Sequence, residues 1–362
     1  IRDRYYLKWS SSYKEACKLI YNKRSKLEDF QKAEQLLLNE SGAGNVLAIQ
    51  DLGKLYSTDK LGEKDEKKSF SFYEEAFQGF MEIEPDSDFM FPYEPKYKGQ
   101  VMKPVDMRSY VWYRIGKMHC YGLGTEQDYE KAFEWFLKSA QEGNKFAQYS
   151  LANLYYYGNG VEKDLSQAFL WYRKSSEQGQ PYAPYAVAQM YDKGEYVSQS
   201  EETAQRYYKV ALSGFLELES KGQADDNLYY KLGAMYKKGL GTEIDIPKAI
   251  EYFEKSAENM WSTYQLGRLY LFGAEGVEKD KEKAAQWLTK SANDGNEYAQ
   301  NMLDDMGHFE NMLLRNTVMG LFVNLSRCIE DDYTQKYKSV RRTVDSRLQR
   351  MIRSVSYTHL TL

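Results

Sequence analysis

Four aspartates recur at similar places in this sequence and are the first residues that could carry acid–base chemistry. They are Asp128, Asp164, Asp245 and Asp280. Two carboxylates can act as general acid and general base when a fold brings them together. Each of these aspartates, however, directly precedes a similar apolar segment. An aspartate there can accept hydrogen bonds from the free N–H groups of a new helix. The pattern therefore predicts four helix N-caps and no catalytic carboxylate pair.

Glycine pairs precede these aspartates and could be read as phosphate-binding loops. The clearest pair is Gly158 and Gly160. Phosphate-binding loops carry a lysine followed by serine or threonine and connect a strand to a helix, and neither feature is present here. Glycine readily adopts the left-handed conformation that ends many helices. The pairs therefore predict turns between two helices.

Histidine and cysteine offer little for metal binding or nucleophilic catalysis. The chain has three of each. His119 occupies a position that holds tyrosine in similar segments, which predicts a packed imidazole. The adjacent Cys120 points to another side of its helix, and neither residue has a partner at metal-ligand spacing. His308 has no nucleophile in its context. We therefore predict no catalytic residue, no metal and no cofactor in this segment, which we expect not to be an enzyme.

One short phrase is repeated along the chain. It is Leu-Ala-Asn-Leu-Tyr at 151–155, and related phrases stand at 52–56, 115–119, 187–191, 232–236 and 266–270. The interval is about 36 residues, with one long insertion in the first interval and a shorter one in the fourth. A constant period of this length is typical of arrays of helix pairs.

Each unit contains two apolar patterns with helical spacing. In the first, Ala147, Leu151 and Tyr155 lie four residues apart and form one stripe. In the second, Trp171 and Tyr172 lie on the apolar side. A single helix pair cannot bury such stripes, whereas stacked pairs form a continuous core. The glycines and capping aspartates then lie in the connections between the two helices.

These phrases, with the Gly-x-Gly-Val-x-x-Asp connection at 158–164, resemble the Sel-one-like repeat, a relative of the tetratricopeptide repeat. The resemblance covers roughly residues 45–300. It implies an all-α fold, a right-handed superhelical solenoid of antiparallel helix pairs with flanking capping helices. It also implies a non-catalytic scaffold for protein–protein interaction. Tetratricopeptide repeats themselves are less similar, because their period is shorter and their connection differs.

The repeat boundaries predict the organisation of the chain. We expect an N-terminal helix or linker at 1–25, the array at 26–306 with an insertion at 77–110, a capping helix and a basic helix at 307–354, and a tail encoded by sequencing adapter at 355–362. The insertion is rich in proline and aromatic residues. It is either a loop folded back on the array or a partner contact.

A tyrosine stands two residues before the first leucine of most repeat phrases and faces away from the apolar stripe. The resemblance to Sel-one-like repeats implies that the first helices of the units line the concave surface of the solenoid. Either these tyrosines contact a partner, or they pack between adjacent helices. The candidate contacts on this surface are Tyr113, Lys117, Tyr149, Asn153, Tyr185, Gln189, Tyr230, Tyr264 and Arg268.

Charge is distributed unevenly. The net charge is −4, but residues 333–354 carry seven lysines and arginines against one acid. This segment is either a solvated cap or a basic helix that contacts nucleic acid or an acidic partner. Its candidate contacts are Lys338, Arg342, Arg350 and Arg353.

The partner of such an array is expected to be a protein or peptide on the concave face. We expect the array to be monomeric. We also expect no membrane partner, because no apolar run reaches the length of about 20 residues that a membrane-spanning helix needs. Scattered cysteines favour a reducing, cytoplasmic location in a bacterium, although a signal peptide upstream would indicate export. Residues 9–38 and 322–353 also resemble repeat regions attached to conjugative relaxases of the MobL/MobA type. That alternative places a DNA-nicking domain upstream.

Overall fold

The computed structural model describes residues 5–21, 25–84 and 107–308. These residues form fifteen α-helices and one 3-10 turn, and no β-strand forms within them beyond isolated bridges. The helices are α1 Ser11–Tyr21, α2 Leu27–Gly42, α3 Val46–Tyr56, α4 Glu66–Ile83, α5 Met107–Tyr121, α6 Tyr129–Gln141, α7 Lys145–Tyr157, α8 Leu165–Glu177, α9 Ala183–Lys193, α10 Glu201–Ser220, α11 Asp226–Lys238, α12 Ile246–Lys255, α13 Met260–Phe272, α14 Lys281–Asn293 and α15 Glu297–His308. The all-α prediction is confirmed.

The helices form pairs, and the two helices of a repeat unit pack against each other. The pairs are α3 with α4, α5 with α6, α7 with α8, α9 with α10, and α11 with α12; α1 and α2 form a further hairpin before them. Helix α13 meets α14 at Gly267, where an added Cβ would lie 2.6 Å from Leu288 Cγ. The chain folds into two compact units. Among the described residues, the first runs to Ser262 and includes Ala274–Glu278, and the second contains Thr263–Gly273 and residues 279–308.

The aspartates that open the second helices are N-caps, as the sequence predicts. Asp164 Oδ1 accepts hydrogen bonds from the backbone N–H groups of Ser166 and Gln167, at 2.8 and 3.0 Å. The backbone N–H of Asp164 also donates to the carbonyl of Tyr155, at 3.0 Å. Asp128, Asp245 and Asp280 cap their helices in the same way. These carboxylates thus organise the connections.

One glycine of each pair brings two units into close contact. Gly160 has φ +66°, and a Cβ added there would lie 2.3 Å from the carbonyl carbon and oxygen of Tyr129, at the start of α6. The α9–α10 connection differs, because Tyr196 occupies the equivalent place with φ +65°. Its ring contacts Phe169 at 5.7 Å between centroids. This connection therefore accommodates a side chain in the left-handed conformation.

The array departs from its regular repeat length at α10 and between α4 and α5. Helix α10 has 20 residues, and its additional turns bury Phe215 completely. The first insertion is shorter than its predicted bounds of 77–110. Residues 77–83 complete α4 and residues 107–110 begin α5, because apolar side chains such as Phe80 continue the buried face of α4. The remainder of this insertion lies outside the described residues, as does most of the segment 307–354.

Candidate partner-binding face

Tyrosines of the first helices pack against the second helix of their own unit. Tyr149 of α7 lies 5.7 Å from the ring of Tyr172 on α8 and 6.2 Å from the ring of Tyr182, which precedes α9. Burial raises the pKa of Tyr149 to about 12. The same arrangement joins Tyr113 to Phe136 at 5.9 Å. These rings therefore contribute to packing within and between units.

The corresponding tyrosines further along the chain are also packed. Tyr185 lies 5.5 Å from Tyr208 and 5.9 Å from Phe215 of α10, and Tyr230 lies 6.1 Å from Phe253 of α12. In the second compact unit, Tyr264 is only 4 % exposed. Tyr113, Tyr149, Tyr185 and Tyr230 are half-buried and keep part of each side chain at the surface. Tyr264 thus differs from the other members of the predicted contact set.

Polar candidates four residues after these tyrosines have diverse surroundings. Asn153 Oδ1 accepts a hydrogen bond from the Tyr172 hydroxyl at 2.5 Å. Gln189, at the equivalent position of α9, is half-buried and makes no side-chain hydrogen bond within the described residues. The guanidinium of Arg268 lies 5.6 Å from the centre of the Tyr264 ring. Asn153 therefore has a clear structural role, whereas Gln189 is available at the surface.

Exposed aromatic side chains border this face, and the sequence reasoning missed them. Tyr121 is 63 % exposed, Tyr157 is 54 % exposed and Phe146 is 45 % exposed. Tyr121 and Tyr157 follow Tyr113 and Tyr149 by eight residues, or about two helical turns, so each lies on the same helix side as the tyrosine two turns before it. That spacing was a signal present in the sequence. We call Tyr113, Tyr121, Phe146, Tyr149 and Tyr157 the aromatic face.

Lys117 of α5 lies against two rings of the aromatic face. Its ammonium is 6.0 Å from the centre of the Tyr113 ring and 5.8 Å from that of Tyr121. Within the described residues it forms no hydrogen bond or ion pair. Burial, with smaller contributions from the positive charges of Arg114 and Lys54, lowers the pKa of Lys117 to about 8. The amine is thus held against aromatic rings without an acidic partner there.

The side chains next to Lys117 form a polar network between α1, α3 and α5. Arg114 donates from Nη1 to Gln50 Oε1 at 2.8 Å and from Nη2 to the hydroxyl of Tyr110. Asp51 Oδ2 accepts from the hydroxyl of Tyr13 at 2.7 Å. Buried Asp51 is therefore already hydrogen-bonded, and its negative charge favours the protonated forms of Arg114 and Lys117.

The histidine and cysteine side chains that could support catalysis lie where burial shifts their pKa values. His119 is buried, its ring lies 5.1 Å from that of Phe77, and burial lowers its pKa. Burial raises the pKa of the Cys17 thiol to about 12 and also raises that of Cys120. Such thiols are poor nucleophiles near neutral pH, because the thiolate is the reactive form. In the part of the chain that the structure describes, no group of three or more His, Cys, Asp or Glu side chains could hold a metal ion.

Two further predictions concern the C-terminal basic residues and contact with a membrane. The basic residues Lys338, Arg342, Arg350 and Arg353 lie outside the described residues. Among the helices that are described, none has the length and apolar composition required to cross a membrane.

Comparisons with known proteins agree with the periodicity. The family model of the Sel1 repeat matches six segments that together cover more than half of the chain. The segments are residues 46–79, 113–144, 145–180, 181–213, 228–259 and 262–296. The resemblance to Sel-one-like repeats is confirmed by this match.

Individual relatives match over part of their length or with low identity. The Sel1-repeat-containing protein YjcO of Escherichia coli K12 is 36 % identical over 83 residues, which are 22 % of this chain and 35 % of YjcO. The chain thus spans about a third of this curated relative. A Sel1 repeat protein from Oxalobacter formigenes is 22 % identical with a TM-score of 0.46, covering 74 % of this chain and 95 % of that one. The protective antigen c5321 of uropathogenic E. coli, which displays an SLR fold, is 23 % identical with a TM-score of 0.37, covering 83 % and 65 %.

Proposed function

Because the chain belongs to the Sel1-repeat family, we propose that it is a scaffold that binds an extended segment of a partner protein along its first helices. Arrays of helix pairs present extended concave binding surfaces and few reactive sites. The observation that carries the proposal is the exposure of large aromatic side chains on α5 and α7. Tyr121, Phe146 and Tyr157 stay at the surface although the units beneath them have filled apolar cores.

Tyrosine suits this role for two physical reasons. Its ring provides a large contact area with few rotatable bonds, so little conformational entropy is lost on binding. Its hydroxyl can hydrogen-bond to the backbone of an extended partner, which needs donors and acceptors when it leaves water. The packed rings of Tyr113 and Tyr149 hold the face rigid. A rigid face also lowers the entropic cost of binding.

We infer that this segment acts through binding and not through catalysis. The capping aspartates are engaged by backbone N–H groups, and His119 is packed within the core. An association with a conjugative relaxase stays a prediction, as does a cytoplasmic location. The basic residues on which a DNA contact would depend lie outside the described residues, so this proposal concerns a protein partner.

Peptide display tests the proposal even though the partner is unidentified. A library of random peptides of about 12 residues, long enough to extend over roughly 40 Å, is selected on the immobilised chain. Enriched peptides are then measured against a variant with Tyr121→Ser and Tyr157→Ser. The matched control is Tyr196→Ser, which removes a tyrosine of similar exposure (61 %) from a connection between helices.

The proposal expects enriched peptides whose affinity falls in the double variant and is unchanged in the control. Serine at these exposed positions should change stability by less than about 0.5 kcal/mol, so a lost interaction would report on binding. Enrichment no greater than on the bare support would contradict the scaffold proposal. Equal loss in the double variant and in the Tyr196→Ser control would place binding elsewhere.

A further inference from the structure

A positive cluster lies within the aromatic face and lacks enough acidic groups to balance it. Lys117 and Arg114 project from α5, and Lys54 projects from α3. The positive charges of Arg114 and Lys54 oppose protonation of Lys117, while Asp51 favours it more weakly. Arg114 stands three residues before Lys117 on α5 and donates to Gln50 of α3, the helix that also carries Lys54. Asp51 is the carboxylate that favours protonation of Lys117, and it already accepts a hydrogen bond from Tyr13.

Lys54 and Arg114 are hydrogen-bonded, but Lys117 is not. Lys54 Nζ donates to the Tyr21 hydroxyl at 3.3 Å, and Arg114 donates to Gln50 and Tyr110. Within the described residues, Lys117 has only the faces of Tyr113 and Tyr121. An ammonium can donate three hydrogen bonds, and partial removal from water without an acceptor is unfavourable. A carboxylate brought here would supply the missing acceptor.

A second amine repeats this arrangement further along the array. Lys231 Nζ of α11 lies 4.9 Å from the centre of the Tyr185 ring on α9. Burial lowers the pKa of Lys231, although Asp225 acts in the opposite direction. Lys231 also makes no hydrogen bond or ion pair within the described residues. Two half-buried amines on tyrosine faces therefore lie on first helices of the same compact unit.

We propose that the partner segment is acidic, and that one of its aspartate or glutamate carboxylates binds the ammonium of Lys117 while its neighbouring residues lie on the aromatic face. This inference rests on the proposed scaffold function and specifies the partner's chemistry. Charge complementarity is the argument, because a carboxylate supplies the negative charge and the hydrogen-bond acceptor that Lys117 lacks within the described residues. Lys231 would bind a second acidic residue of the same segment.

The proposal predicts that binding is coupled to protonation. The titratable and charged groups around Lys117 are Arg114, Cys120, Tyr113 and Tyr121 on its own helix, and Lys54 and Asp51 on α3. A bound carboxylate favours the charged amine, so the pKa of Lys117 rises above its free value of about 8 when the peptide binds. Affinity should therefore fall as the pH rises past 8. Lys117→Arg keeps its charge at these pH values and should remove most of that dependence.

The experiment scores the selected peptides by charge and then measures their affinity by fluorescence anisotropy. The variants are Lys117→Met and, as a matched control with the same change in net charge, Lys209→Met at an exposed position of α10. A charge-assisted hydrogen bond lost at Lys117 should weaken binding at least about tenfold. The control should bind within about twofold of the wild type, because surface charges of this kind contribute little.

The outcomes separate this inference from the scaffold proposal. Acid-rich peptides that lose affinity in Lys117→Met, but not in Lys209→Met, support both. Enriched peptides that are neutral or basic, or that bind Lys117→Met as tightly as wild type, overturn the acidic-partner inference and leave the scaffold standing. No enriched peptide overturns the scaffold proposal itself. Tighter binding of a labelled oligothymidylate than of the acidic peptides, lost in Lys117→Met, would indicate nucleic acid and overturn the acidic-peptide inference.

Discussion

Gly160 tests how tightly neighbouring units are joined. It has φ +66°, and a Cβ there would lie 2.3 Å from the Tyr129 carbonyl. Its matched control is Gly143, which has φ +87° and no heavy atom within 4 Å of an added Cβ. Alanine at either position must adopt the left-handed conformation. Only at Gly160 must it also displace the backbone of a neighbouring helix.

The two costs can be estimated separately. Left-handed backbone costs a non-glycine residue about 1–2 kcal/mol, and the reduced entropy of the unfolded chain returns about 0.4–1 kcal/mol. Gly143→Ala should therefore destabilise by about 0.5–1 kcal/mol. At Gly160 the added carbon lies more than 1 Å inside ordinary contact distance. Overpacking adds about 1–3 kcal/mol, so Gly160→Ala should cost about 1.5–4 kcal/mol in total.

Urea unfolding followed by circular dichroism measures the difference between the two variants. Subtracting one from the other removes the common backbone cost, so that the remainder reports the clash. Gly160→Ala should lower the urea midpoint clearly more than Gly143→Ala does. Equal midpoints would show that the connection relaxes at little cost, as it does where Tyr196 replaces glycine. The reasoning about close contact would then be refuted.

Three further predictions concern the packing of the candidate face, at Asn153, Tyr149 and Lys117. Asn153→Ala should destabilise by about 1–2 kcal/mol in thermal unfolding, because the Tyr172 hydroxyl loses its acceptor; Gln189→Ala, at the equivalent position, should change stability by less than about 0.5 kcal/mol. Tyr149→Ala should cost about 2 kcal/mol through lost ring packing, whereas Tyr149→Phe should keep both stability and peptide affinity if the ring serves packing. Lys117→Met should stabilise the fold at pH 7 by about 1 kcal/mol, and this advantage should shrink between pH 8 and 10.5, where wild type loses its proton in the folded state first. A constant advantage across that range would contradict the Lys117 assignment.

The repeat architecture was predictable because the units carry similar residues at the positions that begin and end their helices. Asp164 precedes an apolar helix and caps it, and Gly158 ends the preceding helix in the left-handed conformation. A single capping residue could stand at its position by chance, but the same phrase recurs in six units. The extension of α10 was also readable, because Phe215 continues the apolar spacing.

The candidate site was only partly predictable. Helical spacing placed Tyr149 away from the main apolar stripe, but it did not show that Tyr172 and Tyr182 cover much of its ring. Such contacts depend on how helices of different units meet, which a single helix pattern does not contain. The cluster around Lys117 was missed for the same reason, since Lys54 and Asp51 come from another unit. Sequence reasoning named Tyr113, Tyr149 and Lys117 as candidate contacts, whereas the exposed aromatic side chains beside them emerged from the structure.

Photo-crosslinking tests most directly whether partners bind on the first helices. A photoreactive benzoylphenylalanine replaces Tyr121, which is 63 % exposed on α5, and in a second variant it replaces Val210, which is 56 % exposed on α10. A display-selected peptide is added to each variant, illuminated and analysed by mass spectrometry. Our account predicts a crosslinked peptide at position 121 and none at position 210. A crosslink at position 210 with none at position 121 would contradict it.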